Sequence, residues 1–555
     1  MTLLRRLTGS TALLVLLLAS ATLPWSGCSL VLETQTCQSD ADCPGGGTCT
    51  EDNLCTSARC SEALPCPGGQ LCSESGQCVA GGNLLAAPCE LSFGNISADN
   101  AFNIGVLLPL SGPEAGFGRP LLDAIRLAQS DFNNIGGVLN RPLGLIVCDT
   151  QGLDDQALAG ASQLVENAGV EAIIGPDYSS QTIDIATSLT IDNEVLLISP
   201  SATAATISGL PDNDLVWRTS ASDVIQGIGL GELIAFMLRD VVDDEAPKLA
   251  LLARRDDTYA EGLRHALLEQ LPAEVTGGDA TRFAPYNYAN ASAGQTGDDY
   301  FDTVSDIIAD ASVSGEPDLV VILGSGEAWD IASALEDGLS GEPFYVFVDA
   351  ARNTDLAAQA PETLRGRVWG TAPQNIGESG YAPYISFRLK FRAEYPGQDP
   401  DDYQFVANAF DALYVVALGA AGGGFTGPEI ARGMKRLSEG TLIEPGQSGA
   451  QNAVNILSGE GSVNFRGASG PLNFDEQGDP QASPIALWCL DSEGLPELGV
   501  ILDDKLAFLP RRCGEGTEEP GDQGDPDADV GADVGPDADS EDTGLNDSAR
   551  SDAGP

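Results

Sequence analysis

Histidine is almost absent from this chain: His265 is the only one in 555 residues. A general acid–base pair or a Ser-His nucleophile would have to rest on that one side chain. It lies in the amphipathic stretch 261–271, where a surface or packing role is the plainer reading. No GxSxG turn follows a strand-like run, and no Gly-Lys pair occurs anywhere, which removes a Walker A loop. The one GxGxxG match, "GGGFTG" at 422–427, follows a helical pattern instead of a strand, so it reads as a link between two helices and not as a dinucleotide site. The chain is not expected to be an enzyme.

Positive charge is scarce as well. There are 27 Lys and Arg against 82 Asp and Glu, a formal net charge of -55. Such a surface repels phosphate backbones and anionic membranes, which excludes nucleic acid as a partner. Part of the charge is concentrated at the end, where 514–555 hold fourteen acids and one Arg. That tail has too little apolar content to repay ordering and is expected to be disordered. An EF-hand loop needs Gly at its sixth place, and after Asp525 that place is Val530, so the tail reads as a solvated charge run. No metal or cofactor is expected.

Long apolar runs are also missing. The run 12–21, behind Arg5 and Arg6, is too short for a lasting transmembrane helix, so 1–27 read as a signal peptide. No later stretch looks apolar enough to span. Membrane contact is expected only through an N-terminal lipid.

Cysteine is plentiful, with thirteen residues. Cys28 follows "WSG" in a stretch that resembles a bacterial lipobox, with Trp25 where Leu is usual. Cys28 is therefore the expected acylation site, and ordinary secretion is the alternative. The remaining twelve suit disulfides in an oxidising compartment. Cys37, Cys43, Cys49 and Cys55 stand six apart, and Cys60, Cys66, Cys72 and Cys78 repeat the spacing. Both sets carry "CPGG", a duplication of units too small to hold a core without staples. Zinc is the rival reading, but zinc sites favour CxxC pairs. Residues 28–89 thus read as a disulfide-rich stalk or protein-contact module whose pairing spacing does not give. Among the other cysteines, Cys89 with Cys148 and Cys489 with Cys513 are the expected pairs.

From about residue 103, short apolar runs alternate with amphipathic helical stretches. Strand-like runs at 104–108, 144–148, 172–174 and 195–198 are separated by helical patterns starting near Leu121, Asp155 and Gln181. A second set has runs at 248–252, 319–323 and 344–348, with helices near Tyr259, Tyr300 and Ala328. This alternation predicts two α/β lobes, each with a parallel sheet. Helical patterns at 382–395, 403–420 and 428–438 follow, and short strands return at 485–489 and 500–502.

The run 104–108 opens into the small-residue turn "PLSGPEAGFG". In open parallel sheets ligands sit beyond the carboxyl ends of the strands, so this turn reads as a ligand wall; a plain βα loop is the alternative. The surrounding "IGVLLPLSGPEAGFGRPLLDAIRLAQSDFNNIGGVLNRPLGLIVCDT" resembles the opening of the type I periplasmic binding proteins of the leucine/isoleucine/valine-binding family. Further echoes follow in family order: "LVENAGVEAIIGPDYSSQT", "LISPSATAATIS", "VWRTSASDVIQG", "YAEGLRHAL", "DLVVILGSGEAWDIASAL" and "FRGASGPLNFDEQGD". The resemblance spans about 102–509. It implies an α/β fold of two Rossmann-like lobes joined by three crossovers, which close by a hinge on a ligand. The expected divisions are 102–222 and 373–475 for the first lobe, 223–372 for the second, 476–512 for terminal strands partly in the second lobe, and 513–555 for the acidic tail.

Ser179 and Ser180 begin a helix whose unpaired N–H groups would attract a carboxylate; simple helix capping is the alternative. By resemblance, Ser201, Ala202 and Thr203 match carboxylate and amino-group contacts of the first lobe. Tyr259, Ser325 and Asp349 would answer from the second, with Asp349 at an acidic position that pairs with a ligand ammonium. The family's second-lobe aromatic is missing from "GSGEAW" unless Trp329 reaches over, a departure that speaks against branched aliphatic ligands. Where the chain crosses into the second lobe, Asp223 reads as an N-cap, Gln226 as an exposed helix residue, and 219–222 as a hinge.

The expected function is an exported solute-binding receptor of the periplasm or cell envelope. It would take a small polar ligand, such as an amino acid or its amide, and by resemblance hand it to an ABC permease. The alternative is a sensor or surface-interaction protein that signals through the cysteine-rich stalk.

Overall fold

The computed structural model describes residues 84–271, 283–289, 299–373, 381–481 and 485–502, apart from a few single positions, together with 70–72, 78–80, 505–506 and Cys513. The expected signal peptide, Cys28, most of the cysteine repeats and the acidic tail lie outside the described residues. Within the repeats, strands β1 (Gln70–Cys72) and β2 (Cys78–Ala80) pair antiparallel, with Cys72 opposite Cys78. The chain forms two units, 1–223 with 375–483 and 224–374 with 484–555, and so passes between them three times.

In the first unit, β3 (Leu91–Phe93), β4 (Phe102–Leu108), β5 (Leu143–Asp149), β6 (Ala172–Ile174), β7 (Leu196–Ser199) and β8 (Val216–Arg218) form one sheet in the order β3-β5-β4-β6-β7-β8. All neighbours are parallel except β3, which runs antiparallel on the edge. The near-continuous apolar runs follow from burial on both faces. Ile104, Val106 and Leu108 point into one core with Leu145, Val147, Ile174 and Ile198. The alternate residues Leu107, Ile146, Ile173 and Leu197 point into the other. A shift of one residue in any of these strands would exchange the two sets.

The first of those cores is built around the helix Val406–Gly423, which is apolar on every side and buried along nearly all its length. It has the length and mean hydropathy, 1.4, of a membrane span. The expectation that no later stretch is apolar enough is thus corrected: this one is, and the unit wraps it as a core helix. "GGGFTG" joins it to the helix Gly427–Met434, where Thr426 and Glu429 form a capping box.

Cys89 is bonded to Cys148, fastening the segment before β3 to β5. The other expected pair, Cys489 with Cys513, is also present.

In the second unit, β9 (Leu249–Arg255), β10 (Phe283–Ala289), β11 (Leu319–Leu323), β12 (Phe344–Phe347) and β13 (Val368–Pro373) run parallel in the order β10-β9-β11-β12-β13. β16 (Ile485–Cys489), β17 (Glu497–Leu502) and β18 (Lys505–Leu506) extend the sheet antiparallel. The order of the five parallel strands repeats that of β5-β4-β6-β7-β8 in the first unit. In each sheet the chain goes to one side of its first strand and then to the other, which makes a switch point between β4 and β6 and between β9 and β11. β14 (Thr441–Ile443) and β15 (Val463–Phe465) form a separate parallel pair in the first unit.

Candidate functional site

The turn after β4 is less loose than its composition suggests. Asp149, the last residue of β5, takes the N–H groups of Leu110 and Ser111 on Oδ1 at 2.8 and 3.2 Å and the Ser111 hydroxyl on Oδ2 at 2.5 Å. Burial alone would raise its pKa, but these bonds and one from the Gln151 N–H outweigh it and hold the carboxyl below its ordinary value. Gly118 lets the following helix, Ala115–Asn133, close on the turn, since a Cβ there would lie 2.1 Å from the Pro109 carbonyl.

Beside it, β6 ends in Gly175, whose positive φ of 98° and close approach to the Leu107 carbonyl leave no room for a side chain. Then come Pro176, Asp177 and the helix Ser179–Ile185. The N-cap is Tyr178, without a side-chain cap bond, so Ser179 is not spent on capping. Its Oγ instead accepts the Ala204 N–H at 3.2 Å, fastening the helix start to the segment after β7. Ser180 is half-buried at the same helix start.

Ser199, which closes β7, organises that segment. Its hydroxyl donates to the Pro176 carbonyl at 2.6 Å and accepts the N–H groups of Ser201 and Ala202 at 3.4 and 2.9 Å. Ser201 Oγ donates to the Asp177 carbonyl at 3.0 Å. Arg218, at the end of β8, donates through Nη1 to the Thr203 and Ala204 carbonyls at 2.8 and 2.9 Å. The Thr203 carbonyl also accepts the Asp223 N–H at 2.8 Å. Ser179, Ser180, Ser201, Ala202 and Thr203 are thus brought together at the carboxyl ends of β6 and β7.

In the second unit, Asp349 follows β12 and is 3% exposed. Its Oδ1 accepts the Tyr259 hydroxyl at 2.6 Å and Gln226 Nε2 at 2.5 Å. Burial raises the carboxyl's pKa, opposed by those two bonds. Gln226 is 1% exposed, so its reading as an exposed helix residue is corrected: it faces inward to hold Asp349. Ser325, after β11, is not part of this trio. Its hydroxyl accepts from Arg254 Nη2, in a cluster where Glu327 also takes the Tyr288 hydroxyl at 2.8 Å.

Trp329 does not reach out. It is 4% exposed, stands edge-on to Phe347 and donates its Nε1 to the Ala351 carbonyl at 2.8 Å, so it is core. His265 is a surface residue 3.5 Å from Glu269. The residues that sequence reasoning passed over are Arg218, Ser199 and Asp177, and Gln226 it misplaced on the surface. Gln226 carried one signal: three positions after Asp223, it shares a helix face with a residue at the chain crossing.

Two sheets that share one order of five parallel strands, each with polar side chains gathered beyond strand carboxyl ends, define a two-unit α/β fold. The chain belongs to the periplasmic binding protein family, whose model matches residues 101–456, and within it to the type I, Leu/Ile/Val-binding group. It is 30% identical over 188 residues to the Leu/Ile/Val-binding protein of Citrobacter freundii, a match over 34% of this chain and 48% of that protein. The chain therefore spans about half the length of that relative. It is 25% identical over 406 residues, 71% of this chain and 92% of the relative, to the leucine-, isoleucine-, valine-, threonine- and alanine-binding protein of Pseudomonas aeruginosa. The crystal structure of a leucine-binding protein from Thermotoga maritima superposes with a TM-score of 0.57 at 21% identity, covering 73% of this chain and 99% of that one.

Proposed function

We propose that the chain is an exported receptor whose two units close on one small, amino-acid-like molecule and deliver it to an ABC-type importer. The supporting observation is the matched pair of polar sets, Ser179, Ser201 and Thr203 after strands of one sheet, Tyr259, Gln226 and Asp349 in the other unit. Ser179 Oγ accepts one bond and can still donate its own proton to a ligand carboxylate. Asp349 offers a carboxylate to an ammonium. Hydrogen bonds to charged groups contribute roughly 1.5–3 kcal/mol each, and micromolar affinity needs only about 8 kcal/mol, so a handful suffices.

The joint between the units lies in this reading at 222–224. Thr219 and Ser220 are tied into the first unit: Thr219 exchanges hydrogen bonds with Asn408 at 2.9 and 2.6 Å, and Ser220 Oγ donates to the Ala202 carbonyl at 3.2 Å. The buried Cys89–Cys148 bond suits an oxidising compartment, and Cys28 is the proposed lipid attachment.

Native mass spectrometry of the secreted chain tests the reading. A single co-purifying amino-acid-sized molecule, lost on denaturation, is the expected result. A bound nucleotide, or an added compound that the protein chemically converts, would overturn it. Intact-mass measurement of the mature N-terminus reports the lipid separately.

A further inference from the structure

We infer that Asp177 is a specificity determinant whose carboxylate is the counter-group for a cationic side chain, an ammonium or guanidinium, on the ligand. The inference rests on the receptor reading above and deepens it.

Asp177 stands three residues past β6, at the switch point between β4 and β6. Its backbone is fixed from two sides, by Ser201 Oγ on its own carbonyl and by Ser199 Oγ on the carbonyl of Pro176. The residue is 4% exposed, yet no other residue hydrogen-bonds its carboxylate, which meets only its own backbone N–H. Three other buried acids of the same unit are held by named partners. Asp131 holds Lys390 and Tyr414, Asp411 holds Ala468 and Ser469, and Asp479 holds Arg218. A buried carboxylate held by nothing but its own backbone is costly, and such groups are retained where something else completes them.

The surroundings say what completes it. Burial, opposed by the residue's own backbone N–H, pushes the Asp177 carboxyl up to about 7, and the negative charge of Glu114, on the turn after β4, adds to the rise. A cation placed between these two acids relieves both burial and repulsion. Among the described residues no group of three or more His, Cys, Asp or Glu is placed to hold a metal ion, so the pair fits an organic cation better. The hydroxyls of Ser179 and Ser201 lie on the same strand ends, where the polar head of such a molecule would be held. An aliphatic side chain would instead set hydrocarbon against a buried charge.

The test is calorimetric titration of the full chain, stripped of ligand by denaturation and refolding, with lysine, arginine, norleucine and leucine. Wild type is expected to bind lysine or arginine at least about tenfold more tightly than norleucine, the factor one charge-assisted hydrogen bond supplies. Asp177→Asn should bring that ratio to within about threefold, chiefly by weakening lysine and arginine. Glu114→Gln, at an exposed position, should lower the ratio severalfold and serves if the first variant misfolds. Neutral amino acids bound as tightly as cationic ones by wild type would overturn the role of Asp177 and leave the receptor reading intact. Binding of no amino acid by any folded form would remove both.

Discussion

Arg218 and Asp479, 261 positions apart, are joined by two parallel bonds, Nε to Oδ1 at 2.6 Å and Nη2 to Oδ2 at 2.7 Å. The guanidinium is fully buried and also holds the carbonyls of Thr203 and Ala204. The pair therefore ties the segment after β15 to the loop that carries three of the five first-unit residues expected to meet the ligand. Arg218→Met should destabilise the first unit by about 3–5 kcal/mol, because it leaves Asp479 buried and unpaired. Arg218→Met with Asp479→Leu should recover much of that loss, since the orphaned charge is gone. Urea denaturation of wild type and the two variants measures both effects.

Asp349 is held by Tyr259 and Gln226, and substitution of each of the three separates charge from positioning. Asp349→Asn removes the group proposed to meet the ammonium and should weaken an α-amino acid ligand by roughly 1.5–3 kcal/mol. Tyr259→Phe and Gln226→Leu leave the charge and remove one bond each, so each should cost about 1 kcal/mol. Calorimetry gives all three. Equal losses in the three variants would mean that the carboxylate acts only as a structural acceptor.

The disulfides make a prediction that needs no ligand. Non-reducing peptide mapping should recover Cys89 with Cys148 and Cys489 with Cys513. The first closes a loop of 59 residues, for which loop-closure entropy gives about 4 kcal/mol. The Cys89→Ser, Cys148→Ser double variant should lose roughly that much stability in urea.

Asp177 and Asp411 are both raised by burial to about 7 from an ordinary 3.8. Between those values the folded chain binds protons that the unfolded chain has released. Their contribution to stability is complete below pH 3.8 and is lost as pH rises toward 7. Replacing both with Asn should flatten the fall in melting temperature over that window, which thermal denaturation at a series of pH values would show.

Much of the fold was legible because a parallel sheet buried on both faces must be written in apolar runs, as at β4, β5, β7 and β11. β10 was missed for the opposite reason. As an edge strand it tolerates Pro285 and Asn287 and so carries no run. β8 is three residues long and ends in a fully buried Arg, which sequence patterning reads as surface. The positions of Ser179, Ser201 and Asp349 at strand and helix ends were legible, while their role in binding is the proposal made above. Arg218 and Gln226 were not, because what they do depends on Asp479 and Asp349, partners more than a hundred positions away.

The central claim is that this chain binds one small amino-acid-like molecule reversibly. Calorimetric titration of the refolded, ligand-stripped chain with the twenty standard amino acids and their amides tests it most directly. Saturable heat with one site per chain, at a Kd of about 1 μM or tighter, is expected for at least one of them. No saturable heat from any, with the protein folded by circular dichroism, would contradict it.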